Sequence, residues 1–118
     1  MAPTIWEPSN VYASAKLGED VSVGKFTEIG PEVSIGNDCF IGPMVYMTND
    51  RFPPSEKSKW KKTIIEDEAA IGAGVTILCG VTIGRKSMIG CGSVVVQSVP
   101  PNEIWVGVPA KKLRDRPA

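Results

Sequence analysis

The side chains with the clearest chemical potential lie in one short stretch, T-N-D-R-F-P-P-S-E-K-S-K-W-K-K-T-I, running from Thr48 to Ile64. Asn49 and Asp50 open it. An Asn-Asp pair is ordinary turn chemistry, and Asp50 is also a carboxylate able to accept a proton or a hydrogen bond. Arg51, Lys57, Lys59, Lys61 and Lys62 stand against Asp50 and Glu56, five charges against two, which leaves the stretch at about +3. Such a lysine cluster is either a solvated face or a phosphate-binding surface. Trp60 is either an anchor that packs the loop or a platform for a ligand. The chain has no histidine, so it lacks the commonest general base and the commonest neutral metal ligand. Its three cysteines, Cys39, Cys79 and Cys91, form no CxxC and read as small core or surface residues, with no metal site expected.

The elements that carry this stretch announce themselves by a period of six. Ile5, Val11, Leu17, Val23, Ile29, Ile35, Ile41 and Met47 recur at that spacing, and Ile65, Ile71, Ile77, Ile83, Ile89 and Val95 resume it in the same phase. Neither a helix nor a simple strand has this period, and a strict short repeat signals a solenoid. Three hexads, eighteen residues, suggest one triangular coil with three short parallel strands. Phase residues and the residues four places later (Ala69, Val75, Val81, Ser87, Ser93, Val99) are expected to point inward and stack on the next coil. Glycine follows a phase residue at Gly18, Gly24, Gly30, Gly36, Gly42, Gly72, Gly84 and Gly90, where we expect it to supply unusual φ at tight corners.

The expected fold is therefore all-β: a parallel β-helix of about four triangular coils in a single domain spanning 1–118. Residues 1–10 read as a leading cap that merges into the first repeat at Ile5. Residues 48–64, with Pro53 and Pro54, interrupt the repeat as an inserted loop. Pro100 and Pro101 end the repeat, and 100–118 forms a basic tail in which Lys111 to Arg116 is expected to close as a short helix. Loop and tail hold nine of the thirteen Lys and Arg residues. Apolar content of 42% and a charge balance of 13 against 13 argue against disorder. No run of about eighteen apolar residues suggests a membrane span. The segment Met1 to Val11 lacks a signal-peptide pattern, so the protein is expected to be cytoplasmic, with no nucleic acid or membrane partner.

The hexads, the inserted loop and the ending Val106-Gly107-Val108-Pro109-Ala110-Lys111 resemble the hexapeptide-repeat acyltransferases, over residues 5 to 113. That resemblance implies left-handed coiling, a homotrimer, and acetyl-CoA as co-substrate in the crevice between two neighbouring subunits. Phe40-Ile41-Gly42-Pro43, Thr48-Asn49-Asp50-Arg51-Phe52-Pro53 and Trp60-Lys61-Lys62-Thr63 are similar to the N-acetyltransferases of nucleotide-linked amino (dideoxy)sugars that serve surface polysaccharides. On this resemblance Asn49 and Asp50 are the candidate catalytic residues, Asn49 orienting the substrate and Asp50 accepting from its amine. Thr48, Arg51 and Trp60 are candidates for substrate binding. The candidate cofactor-binding residues are Gly90 and Gly92 along the wall, Gly107, Pro109 and Ala110 in the turn, and Lys111 and Lys112 for the nucleotide phosphate. Repeat corners, for the glycines, and a helix start, for Pro109, are the plain alternatives.

The missing histidine bears on the acceptor. A hydroxyl barely ionises at pH 7 and needs a strong base, for which relatives of this fold use histidine. A sugar amine titrates near the roughly 7.7–8.0 of an α-amino group, so positioning it against the thioester supplies much of the catalysis. An O-acetyltransferase of the same fold and a non-catalytic β-helix scaffold remain the alternatives. The carbonic anhydrase class on this fold needs three histidines for zinc, which this chain does not have.

Overall fold

The computed structural model describes residues 1–48 and 62–117. Fourteen two-residue strands follow one another: β1 (Thr4–Ile5), β2 (Asn10–Val11), β3 (Lys16–Leu17), β4 (Ser22–Val23), β5 (Glu28–Ile29), β6 (Ser34–Ile35), β7 (Phe40–Ile41), β8 (Tyr46–Met47), β9 (Ile64–Ile65), β10 (Ala70–Ile71), β11 (Thr76–Ile77), β12 (Thr82–Ile83), β13 (Met88–Ile89) and β14 (Val94–Val95). Two longer strands, β15 (Glu103–Gly107) and β16 (Ala110–Asp115), complete the chain. Every third strand joins the same sheet. The first face runs β1-β4-β7-β10-β13-β15-β16, the second β2-β5-β8-β11-β14 and the third β3-β6-β9-β12. This is the three-sided parallel solenoid that the period of six implies. The first face carries five two-residue strands, so the solenoid makes nearly five turns, not four. The difference lies at the start. Residues read as a cap are already coil, with Thr4 and Ile5 in register with Ser22 and Val23.

Each hexad is two strand residues and a four-residue corner. The second strand residue and the last corner residue point inward, and the core is built almost wholly from them. Ile29, Ile41, Ile71, Ile77 and Ile83 are fully buried, as are the corner residues Val45, Val75 and Ser87. Cys39 and Cys79 are buried and Cys91 is exposed, all three as free thiols. Burial pushes the Cys39 thiol up from its ordinary value, and its Sγ donates to the Glu66 carbonyl at 3.1 Å.

The inserted segment enters at one corner, between the second and third faces. Before it, partners on a face lie 18 residues apart, as in Ser22↔Phe40. Across it they lie 30 apart, as in Tyr46↔Thr76 and Ser34↔Ile64. The difference, 30 − 18 = 12, is two whole hexads, which is why the phase survives the interruption. Met47 therefore stacks on Ile77, and Ile65 resumes the inward set on the third face. Both ends of this segment clamp the same corner of the coil above. The Thr48 hydroxyl accepts from Cys79 N–H at 3.1 Å, and the Thr63 hydroxyl accepts from Gly80 N–H at 3.3 Å.

Two local expectations need correction. The glycines that follow a phase residue do not supply positive φ. That conformation falls two places later in ten of the corners, at Asp20, Phe26, Glu32, Asp38, Met44, Glu68 and Lys86, with φ between 56° and 62°, and at Gly74, Gly80 and Gly92. Gly42 and Gly72 are glycine because of close approach between coils. A Cβ on Gly42 would lie 2.8 Å from Ala73 N, and one on Gly72 would lie 2.8 Å from Cys91 N. The second correction concerns the tail. There is no helix among the described residues. β15 adds parallel to β13, and β16 returns antiparallel along β15. Ala110–Asp115 is thus a strand, placed by the open edge of β15 that it pairs with. Trp105 continues the inward stack above Ile89 and is nearly buried.

Candidate functional site

Among the described residues, the sequence candidates fall on two different edges of the prism. Gly90 and Gly92 belong to the last corner between the first and second faces, directly after β13. Gly107 ends β15, and Gly107 and Ala110 face each other across the hairpin turn. One side chain ties these pieces together. The hydroxyl of Ser93, 1% exposed, donates to the Gly90 carbonyl at 2.7 Å and accepts from the Gly107 N–H at 3.0 Å. Backbone pairing adds Gly90 N–H to the Trp105 carbonyl at 2.9 Å. The structure thus brings Gly90, Gly92, Gly107, Pro109 and Ala110 into one neighbourhood at the top of the first-to-second edge. Val108, at the tip of the turn, is 71% exposed, and the Val108–Pro109 peptide bond is cis. Sequence reading passed over Ser93, taking it only as one more small inward residue. Its signal was a hydroxyl where neighbouring coils carry Val45 and Val75.

The two wall glycines differ. The space that a Gly90 side chain would fill is taken by Val106 of β15. Gly92 has φ +72°, and a Cβ built there meets nothing within 4 Å. Down the same edge the equivalent corner positions are Gly74, then Met44 and Phe26, both exposed. The edge is therefore bare beside its two upper coils and apolar beside two lower ones.

The two lysines also differ. They are consecutive in β16 and so point to opposite sides of the strand. Lys112 Nζ lies 2.9 Å from Asp115 Oδ1 and 3.4 Å from Glu103 Oε2. Its pKa is raised by its hydrogen bonds to Asp115 and then Glu103. Glu103 in turn accepts from the Trp105 indole N–H at 2.9 Å. Lys111 is exposed, and among the described residues it makes no ion pair.

Thr48 lies on the other edge, between the second and third faces, where its hydroxyl clamps the inserted segment. Asn49, Asp50, Arg51 and Trp60 lie outside the described residues. Thr48 and the Gly92 corner are separated by the width of the second face, at most about 20 Å for six residues, and by two coil levels, about 10 Å. A single chain does not bring the stem of the inserted segment to the hairpin turn.

A three-sided solenoid of hexads closed at its top by a hairpin is the architecture of hexapeptide-repeat proteins. The bacterial transferase hexapeptide family (six repeats) matches residues 14–49 and 62–97, 36 + 36 = 72 of 118 residues. The chain belongs to that family, and its fold is that of the left-handed β-helix acetyltransferases. It is similar to a hexapeptide-repeat acetyltransferase from Vibrio cholerae solved with acetyl-CoA, with 27% identity and a TM-score of 0.87 over 98% of this chain and 69% of that one. It is 45% identical over 62 residues to the 2,3,4,5-tetrahydropyridine-2,6-dicarboxylate N-acetyltransferase of Clostridium perfringens, covering 52% of this chain and 25% of that protein. It is 43% identical over 58 residues to the galactoside O-acetyltransferase of Lactococcus lactis, covering 47% of this chain and 28% of that protein. The chain thus spans about a quarter of the length of these two relatives.

Proposed function

We propose that this chain is an acetyl-CoA-dependent N-acetyltransferase acting on a nucleotide-linked amino (dideoxy)sugar of surface polysaccharide biosynthesis. Its family is one of transferases, and a relative of similar fold was solved with acetyl-CoA. The observation that carries the choice of acceptor is the absence of histidine from the chain. An amine that is partly neutral near pH 8 needs orientation more than it needs a strong base. In this reading the pantetheine arm lies along the bare edge at Gly92. The turn Gly107, Pro109 and Ala110 flanks it, and Lys111 meets a nucleotide phosphate. Asn49 orients the amine and Asp50 accepts its proton, while Thr48, Arg51 and Trp60 contact the sugar nucleotide.

The separation of the two edges supports a homotrimer. The stem at Thr48 of one copy and the Gly92 corner of the next line a shared crevice, and a closed three-fold ring supplies three such crevices. The identity shared with a galactoside O-acetyltransferase favours a second reading, O-acetylation on the same scaffold. Asp50 would then have to act as the base for a hydroxyl.

The cofactor assignment distinguishes the two lysines. Lys111→Ala is expected to raise the KM for acetyl-CoA about tenfold, the loss of one charge-assisted hydrogen bond to phosphate, with the sugar KM unchanged. Lys112→Ala is expected to do less, because its ammonium is held by Asp115 and Glu103. Steady-state kinetics with each substrate varied in turn reads both. A change confined to the sugar KM would place the two substrates the other way round.

A further inference from the structure

Ser93 is one of a column of inward corner residues on the first-to-second edge. The column runs Ser9, Thr27, Val45, Val75 and Ser93, one per coil. Where the residue carries a hydroxyl, it bridges to the chain stacked above. Thr27 Oγ1 donates to the Gly42 carbonyl at 2.9 Å and accepts from Val45 N–H at 3.3 Å. Above Ser93 the stacked chain is no longer a coil but the hairpin. Among the described residues, Ser93 is the one side chain that hydrogen-bonds to the Gly107–Ala110 turn.

Ser87 provides a matched comparison one corner earlier. It is equally buried, at 0% exposure, and its Oγ donates to the Gly84 carbonyl at 2.6 Å, just as Ser93 Oγ donates to Gly90. Ser87 Oγ has no partner on the hairpin. The two serines share the bond within the corner and differ in the bond to Gly107.

We infer that Ser93 is a positioning residue: its hydroxyl fixes the Gly107–Ala110 turn to the Gly90–Ser93 corner and so sets the geometry of the acyl-donor site. This rests on the reading of that turn as the acetyl-CoA site. Without the hydroxyl, the Gly107 N–H loses a buried acceptor and the turn loses its side-chain tether to the corner that carries Gly92. Alanine is compatible with such a position, since Ala69 fills the equivalent place in another corner at 1% exposure. Threonine is compatible too, since Thr27 occupies the same column while 2% exposed.

The test titrates acetyl-CoA calorimetrically into the full chain as wild type, Ser93→Ala, Ser93→Thr and Ser87→Ala, with amide hydrogen exchange read at Gly107. Ser93→Ala is expected to bind about five- to tenfold more weakly, the effect of one hydrogen bond, and to lose protection at the Gly107 amide. Ser93→Thr restores binding to within about twofold. Ser87→Ala loses comparable thermal stability but binds like wild type. Wild-type affinity in Ser93→Ala, or equal weakening in Ser87→Ala, overturns the role of Ser93 alone. A wild type that binds no acetyl-CoA overturns the donor-site reading, and the positioning role with it.

Discussion

If Asp50 accepts the proton of the amine, as proposed, replacing it by Asn is expected to lower kcat by about 10²–10⁴-fold, the range for losing a general base. The chain offers no imidazole, so in the proposed reaction the proton that leaves the amine goes to a carboxylate or to water. Asp50 stands two residues beyond Thr48, whose clamp on Cys79 fixes where the inserted segment leaves the coil. If Asp50 holds the substrate without taking the proton, KM rises while kcat changes little. In either case the rate climbs with pH towards the amine pKa, near roughly 7.7–8.0, because only the neutral amine attacks. Wild-type kcat and KM in Asp50→Asn would exclude both roles and leave positioning, with solvent as proton acceptor.

A large effect on stability is expected at Gly42. Its φ is unremarkable, but it is buried, and an added Cβ would stand 2.8 Å from Ala73 N and 3.0 Å from Gly72 C. Both are backbone atoms of the coil stacked on it, and neither can swing aside as a side chain would. Relief requires parting the β7–β10 ladder. Gly42→Ala is therefore expected to cost about 3 kcal/mol or more, the upper end for overpacking a core. At Gly74, φ is +70° and the nearest atom to an added Cβ is 3.9 Å away. Gly74→Ala thus carries only the backbone penalty, about 1 kcal/mol, and Gly74→Asn less. Denaturant midpoints of the variants read the difference. Equal midpoints for Gly42→Ala and Gly74→Ala would mean that coil spacing does not dictate these glycines.

The contrast between those glycines also marks how far the sequence could be read. The inward set was plain, because two strand residues and a four-residue corner force one phase on every hexad from Ile5 to Val95. The left-handed corner residue was not. A bulky Phe26 or Met44 carries no local mark of φ near 60°; only the stacked coils impose it. The glycines were visible but their reason was misread, since close approach between residues eighteen or thirty apart leaves no trace in a local window. The hairpin was hidden by Lys111, Lys112, Leu113 and Arg114, all good helix formers. The unpaired edge of β15 outweighs that preference. Of the candidate site, Gly107 and Ala110 were named from the motif and Gly90 from its place on the upper coils, whereas the engagement of Lys112 with Asp115 and the tether at Ser93 needed coordinates. Asn49, Asp50, Arg51 and Trp60 remain assigned from sequence.

The central claim, acetyl transfer from acetyl-CoA to an amine, is tested most directly by coenzyme A thiol release. The full chain is incubated with acetyl-CoA and a panel of nucleotide-linked amino sugars, each beside its hydroxyl counterpart. The expected result is release that depends on the amine and rises with pH towards its pKa, with the hydroxyl sugars at background. Release with a hydroxyl sugar but not with its amine counterpart, or with no sugar of the panel, would contradict it.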